Sequence, residues 1–173
     1  MNLCVKEQNS FGIDDRKIVE ALQLSLRGRD LKKVILIPPD YTRLNSKAGF
    51  ITKEYYRILT ERGCEVDVMP ALGSHMAMTR KECAEMFGPE IPFEKILVHD
   101  YRKDCIQLGE VETSFVEKAT KGEFSCSVPV EINKRLAENG YDLILSVGQV
   151  VPHEELGFSN YSKNLLVGRG DSP

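Results

Sequence analysis

The 173 residues predict an α/β protein, a mostly parallel open sheet with flanking helices. Two observations lead there. Short apolar runs of strand length, Lys33 to Ile37 and Tyr141 to Val147 among them, alternate with stretches whose apolar residues recur at helical spacing, which implies right-handed βαβ units. The polar motifs that carry histidine or arginine each follow a strand, where open α/β sheets bind ligands.

The elements follow in order. Asp14-Asp15 caps a helix reaching about Arg27, with Ile18, Leu22 and Leu26 four apart on one face. Lys33 to Ile37 is a buried strand stopped by Pro38-Pro39. Phe50 to Arg62 is a helix with Gly63 as its left-handed terminator. Cys64 to Met69 alternates apolar and acidic residues, as in an edge or one-sided strand. A loop over Pro70 to Thr79 carries Gly73-Ser74-His75, and the capping box Thr79-Arg80-Lys81-Glu82 opens a helix to Phe87. Ile96-Leu97-Val98 is expected to be a third strand ending in His99-Asp100. Cys105 to Val116 is expected to be a hairpin or an excursion, and Lys118 to Ser127 a polar loop. Val130 to Glu138 starts extended and turns helical, closed by Asn139-Gly140, and Tyr141 to Val147 is the last buried strand before a long loop with Pro152-His153.

Composition narrows the class. Apolar residues at 42% and charged residues at 28% exclude a disordered, collagen-like or coiled-coil chain. A chain this long buries roughly 70% of its unfolded surface, enough for one core. A net charge of −3 offers no field for a nucleic-acid backbone. No apolar run approaches the ~20 residues of a membrane span, and the N-terminus has no secretory pattern. Five widely spaced cysteines without a C-x-x-C pair read as reduced, mostly buried thiols in a cytoplasmic protein. Val167 to Pro173 ends without a terminal element, so the chain is expected to be a piece of something larger.

All three histidines, His75, His99 and His153, fall on the strand-end edge. Imidazole is the side chain suited to moving protons near neutral pH, and it is a common metal ligand. Gly73 lets backbone approach a ligand beside His75, and Pro152 stiffens the approach to His153. His99, next to Asp100, reads equally as a strand-end hydrogen-bonding residue. Arg43 can grip a carboxylate or phosphate through two parallel hydrogen bonds, and Asp40 can orient it or accept a substrate hydroxyl. The plain alternative for that pair is a turn with a solvated arginine. Lys163 can anchor a phosphate or a covalent adduct, or be an ordinary surface lysine. No P-loop, G-x-G-x-x-G, H-E-x-x-H or G-x-S-x-G pattern is present. Arg169-Gly170-Asp171 matches an adhesive tripeptide by coincidence.

Four segments in this order, Asp40-Tyr41-Thr42-Arg43, Ala71 to Thr79 with its Gly73-Ser74-His75, His99-Asp100, and Pro152 to Ser159 with Lys163, resemble the N-terminal domain of the nickel-dependent lactate racemase family. The resemblance implies a two-domain enzyme with its site between the domains, this chain forming the N-terminal α/β domain over 1–173. It implies a small-molecule substrate, a C-terminal domain of the same parent chain as partner, and a nickel pincer nucleotide tethered through Lys163, with Thr42 and Gly73 on the cofactor. In the same scheme His75 and His153 exchange a proton with the substrate hydroxyl from opposite faces while hydride moves between α-carbon and cofactor. Arg43 holds the carboxylate and Asp40 supports it. No metal ligand is assigned within the chain, because the family's nickel-binding histidine falls after Pro173. Leu44-Asn45 stands where the family runs into proline, and Asn160-Tyr161 where it has Gly-Gly, bulkier residues that keep backbone farther from a phosphate.

The functional expectation is therefore part of a nickel-pincer-dependent racemase or epimerase of a 2-hydroxy acid, the fragment alone being inactive. A carboxylate- or phosphate-binding relative without racemase activity is the alternative. A transition-metal hydrolase built on the histidines is a weaker third, since no carboxylate spacing supports it.

Overall fold

Val34, Ile35, Leu36 and Ile37 are all 0% exposed and set the centre of the molecule. They belong to β1 (Lys33–Ile37), which pairs in parallel with β2 (Glu65–Val68) on one side and β5 (Leu143–Ser146) on the other, giving the order β2-β1-β5. The computed structural model describes residues 3–9, 11–153 and 157–166. Arg169-Gly170-Asp171, the 167–173 ending and the Glu154 to Leu156 part of the fourth motif lie outside the described residues.

The period of two along β1 divides the core. Val34 and Leu36 pack with Leu22 and Leu26 and with Ile58, Leu59 and Phe87, from or just beyond helices α1 (Asp15–Ser25), α2 (Ala48–Glu61) and α3 (Arg80–Phe87). Ile35 and Ile37 pack on the other face with Met69, Leu136, Tyr141 and Leu165. A strand covered on both faces needs apolar residues throughout, which is why it reads as a continuous run. Each such side chain contributes about 1.5–3 kcal/mol on burial.

The caps act as expected. Asp14 accepts from the Arg16 N–H, Gly63 takes φ +82 after α2, and Thr79 and Glu82 bond reciprocally at the start of α3. Gly49 is required by close packing: a Cβ there would lie 2.1 Å from the Met86 carbonyl oxygen.

Two expectations are corrected and one element is added. Ile96 to Val98 is not a strand, because β2 is only four residues long and offers one rung: the Val68–Ile96 bridge, with the Leu97 N–H donating to the Val68 carbonyl at 2.7 Å. Tyr41 to Ser46 forms a 3-10 turn that apolar periodicity does not signal. The excursion is β3 (Cys105–Val111) antiparallel to β4 (Val128–Asn133), with helix α4 (Thr113–Ala119) between them where hairpin and loop were expected. Helix α5 (Lys134–Glu138), the short pair β6 (Pro152–His153) and β7 (Gly157–Phe158), and α6 (Lys163–Leu166) complete the described elements. No disulfide links any of the five cysteines, and only Cys64 and Cys83 are buried where most were expected to be. Among the described residues no helix is long and apolar enough to cross a membrane.

Candidate active site

Asp40, Asn133, Ser159, Asn160 and Thr52 are the described buried polar side chains, and the first four lie beyond the carboxyl ends of the strands. Burying a polar group is costly unless it is hydrogen-bonded, and the first four have partners, whereas the Thr52 hydroxyl has none among the described residues.

The loop after β1 is held by β2's continuation. The Ala71 N–H donates to the Pro38 carbonyl at 2.8 Å, and Pro39 bridges Ala71 in parallel. Asp40 then caps the 3-10 turn: its Oδ1 accepts from the Thr42 N–H at 3.1 Å and from the Thr42 hydroxyl at 2.5 Å. Its Oδ2 lies 2.5 Å from Nδ1 of His75. The carboxylate is therefore committed to Thr42 and His75 rather than to Arg43. Arg43 is exposed, and its guanidinium has no ion-pair partner among the described residues.

His75 reaches Asp40 because the loop turns tightly, with Gly73 at φ +57 and the His75 N–H donating to the Leu72 carbonyl at 2.9 Å. A carboxylate can only accept, so Nδ1 carries the proton and the neutral ring keeps a lone pair on Nε2. The His75 side chain is 59% exposed against 9% for Asp40. A buried carboxylate thus orients an accessible base.

His153 lies in β6, opposite Gly157 at φ +77. Its Nε2 is 3.0 Å from Nζ of Lys163, the first residue of α6. An ammonium can only donate, so Nε2 accepts and the neutral ring carries its proton on Nδ1.

The segment between them is built on buried polar contacts. The Ser159 hydroxyl reaches the Gln149 and Val151 carbonyls at 3.1 and 3.2 Å. Asn160 Nδ2 donates to the Gln149 carbonyl at 2.6 Å, and its Oδ1 accepts from Asn164 at 3.2 Å. A Cβ on Gly148 would lie 2.5 Å from the Asn160 amide, so the two residues fit as a pair. Asn160 and Tyr161 take φ +54 and +57, the left-handed conformation that favours glycine. The backbone path suited to Gly-Gly is therefore kept, with Asn160 buried and the Tyr161 ring exposed.

His99 accepts from Asn133, 2.7 Å from Nδ1, and burial pushes its pKa below the ordinary value against the opposing pull of Asp104 and Asp100. The loop that carries His75 and the helix that begins at Lys163 adjoin, since Gly73, His99, Asn164 and Leu165 line one cleft. Of the residues singled out from sequence, the structure joins Asp40, Thr42 and His75 in one cluster and His153 with Lys163 in another. Asn133 was missed; its signal was its place as the capping residue before α5. Among the described residues no group of three or more His, Cys, Asp or Glu side chains is placed to hold a metal ion.

The lactate racemase N-terminal domain family matches residues 14–172. A crystal structure of a Thermotoga maritima protein superposes with a TM-score of 0.74 at 26% identity, over 90% of this chain and 38% of that one. The lactate racemase apoprotein of Thermoanaerobacterium thermosaccharolyticum superposes at 0.60 with 22% identity, over 87% of this chain and 36% of that one, a likeness of fold. The chain thus spans less than two fifths of either solved relative. No curated protein sequence matches it.

Proposed function

The chain belongs to the lactate racemase N-terminal domain family, and from that premise we propose that residues 1–173 form the N-terminal domain of an isomerase that racemises or epimerises a 2-hydroxy acid. On this reading its partners are the small-molecule substrate and a C-terminal domain of the same parent chain. The absence of disulfides fits a cytoplasmic protein. The observation that carries the reading is the pair of differently supported imidazoles, His75 on Asp40 and His153 on Lys163.

The residues present fit the tether of a nickel pincer nucleotide. Lys163 offers a part-buried amine at 3.0 Å from His153, on a loop whose left-handed backbone is intact. Gly73 places no side chain in the way of the group, while the Thr42 hydroxyl is already engaged with Asp40. When bound, that group supplies a reversible hydride acceptor.

The chain's own residues supply binding and proton transfer. The unpartnered fork of Arg43 binds the substrate carboxylate through two hydrogen bonds. His75 takes the hydroxyl proton on Nε2, and Asp40 stabilises the imidazolium that results. Loss of hydride from the α-carbon gives a planar 2-oxo acid. His153, protonated for that step, would give a proton to the oxygen from the opposite side as the inverted hydroxy acid forms. Exchange with solvent would then return His75 to its neutral form and His153 to its protonated form, so that protons balance over the turnover.

The test is the full-length parent, co-produced with the enzymes that make the cofactor. The expected result is nickel, a mass adduct on Lys163, and exchange of configuration at the α-carbon of a 2-hydroxy acid. An unmodified lysine without nickel would remove the cofactor assignment. Ligand-dependent stabilisation with no α-carbon exchange would replace the isomerase with a binding module.

A further inference from the structure

We propose that the cleft bordered by Gly73, His99, Asn133 and Asn164 is a substrate-tail subsite, in which His99 donates a hydrogen bond from Nε2 to an uncharged hydroxyl or carbonyl oxygen. The inference rests on the hydroxy-acid reading above and narrows its substrate to acids that carry a further oxygen beyond the α-carbon.

The geometry fixes the imidazole. Asn133 is 4% exposed, and its Oδ1 accepts from the Arg135 N–H at 3.0 Å at the start of α5. That contact settles which end of the amide is oxygen, so the group facing His99 is the amide NH2. It donates to Nδ1, which must hold a lone pair, and the neutral ring then carries its one proton on Nε2. Burial favours this neutral form. With Nδ1 occupied, Nε2–H is the only polar group the ring can offer a ligand.

The lining selects the oxygen. Glu131 borders the cleft, no lysine or arginine does, and the rest of the wall mixes apolar side chains with the amides of Asn133 and Asn164. A carboxylate or phosphate there would be desolvated without a counter-charge and would meet the Glu131 carboxylate. An uncharged oxygen has neither problem. The cleft measures about 20 Å³, room for one water-sized group. Arg43, which does not line it, remains the carboxylate site. Asn133 is thus a positioning residue acting through His99.

Lactate and glycerate test this directly, because they differ by one hydroxyl on the carbon beyond the α-carbon. In the full-length parent labelled with 15N-histidine, His99 is expected to show a protonated Nε2 and a bare Nδ1 at neutral pH. Glycerate is expected to bind about five-fold more tightly than lactate, the worth of one net hydrogen bond, and to shift the His99 Nε2–H signal. His99→Leu should remove that preference. The labelled wild-type protein reports even where this variant fails to fold. If glycerate perturbs His75 and leaves His99 unmoved, the subsite is wrong and the hydroxy-acid reading stands. If inorganic phosphate alone moves His99, the cleft is an anion site and the proposal is overturned. If neither acid perturbs His75, both readings fall together.

Discussion

Oδ2 of Asp40 and Nδ1 of His75 lie 2.5 Å apart, although 35 residues separate them in the chain. The contact joins the loop after β1 to the loop after β2, and it is made by a carboxylate whose other oxygen caps a 3-10 turn. Asp40 therefore has two separable tasks, one in holding the turn and one in orienting the imidazole.

Substitution divides them. Asp40→Asn keeps an acceptor for the Thr42 N–H, so stability should change by less than about 1 kcal/mol, while α-carbon exchange in the parent enzyme should fall about 10²–10⁴-fold. Asp40→Ala should lose the activity and a further ~1 kcal/mol from the missing cap. Urea unfolding beside steady-state kinetics checks both. Equal kinetic and stability losses in the two variants would contradict the division.

Gly148 and Asn160 should behave as one unit. Gly148→Ala places a Cβ where the Asn160 amide sits and is expected to cost about 1–3 kcal/mol by overpacking. Asn160→Gly alone should also destabilise, through loss of the bond to the Gln149 carbonyl. The double variant should be more stable than the sum of the two losses, and thermal unfolding of all four proteins gives the coupling.

Tyr161 holds a left-handed conformation that costs a non-glycine residue roughly 1–2 kcal/mol. Its ring is 71% exposed and buries little in return. Tyr161→Gly should relieve that strain, less glycine's own entropy cost, for a net gain of about 0.5–1 kcal/mol. A destabilised variant in thermal unfolding would show that the ring makes contacts stronger than the strain.

His99 gives a pH signature. Its pKa is held down by burial, below the ordinary value of 6.5 that the unfolded chain has. As pH falls below that value the unfolded chain takes up the proton first, so its contribution is complete above about pH 6.5 and declines through the lowered folded value. Denaturant midpoints at pH 7.5, 6.5 and 5.5 should drop on the acid side, and His99→Gln should show a smaller drop. An identical pH dependence in the two proteins would mean that His99 titrates unperturbed.

Much of this was legible in local pattern. The run Lys33 to Ile37 is the central strand because burial on both faces leaves no place for polar residues. Thr79 and Glu82 announce α3 because a capping box is a three-residue interaction. His153 and Lys163 are only ten residues apart, and their meeting is within reach of one loop. The Asp40–His75 bond was not legible, since it depends on two strands lying side by side in register. Arg43 was the nearer partner for Asp40 by sequence, and the 3-10 turn sends its side chain elsewhere. Ile96 to Val98 has strand composition without a neighbour long enough to pair with it. Asn160-Tyr161 read as a bulkier loop because residue names do not reveal φ, and the backbone kept the conformation that glycine would have taken.

The order β2-β1-β5 means that the two outer strands touch the sheet only through β1. The loops bearing His75 and the His153–Lys163 pair therefore hang from a single post, and neither can come loose by peeling away from the other. Opening of the site edge should coincide with global opening of the three-strand core. Amide hydrogens at Val34 to Ile37, Met69 and Val147 should exchange at one common rate and respond together to denaturant, as a single cooperative unit.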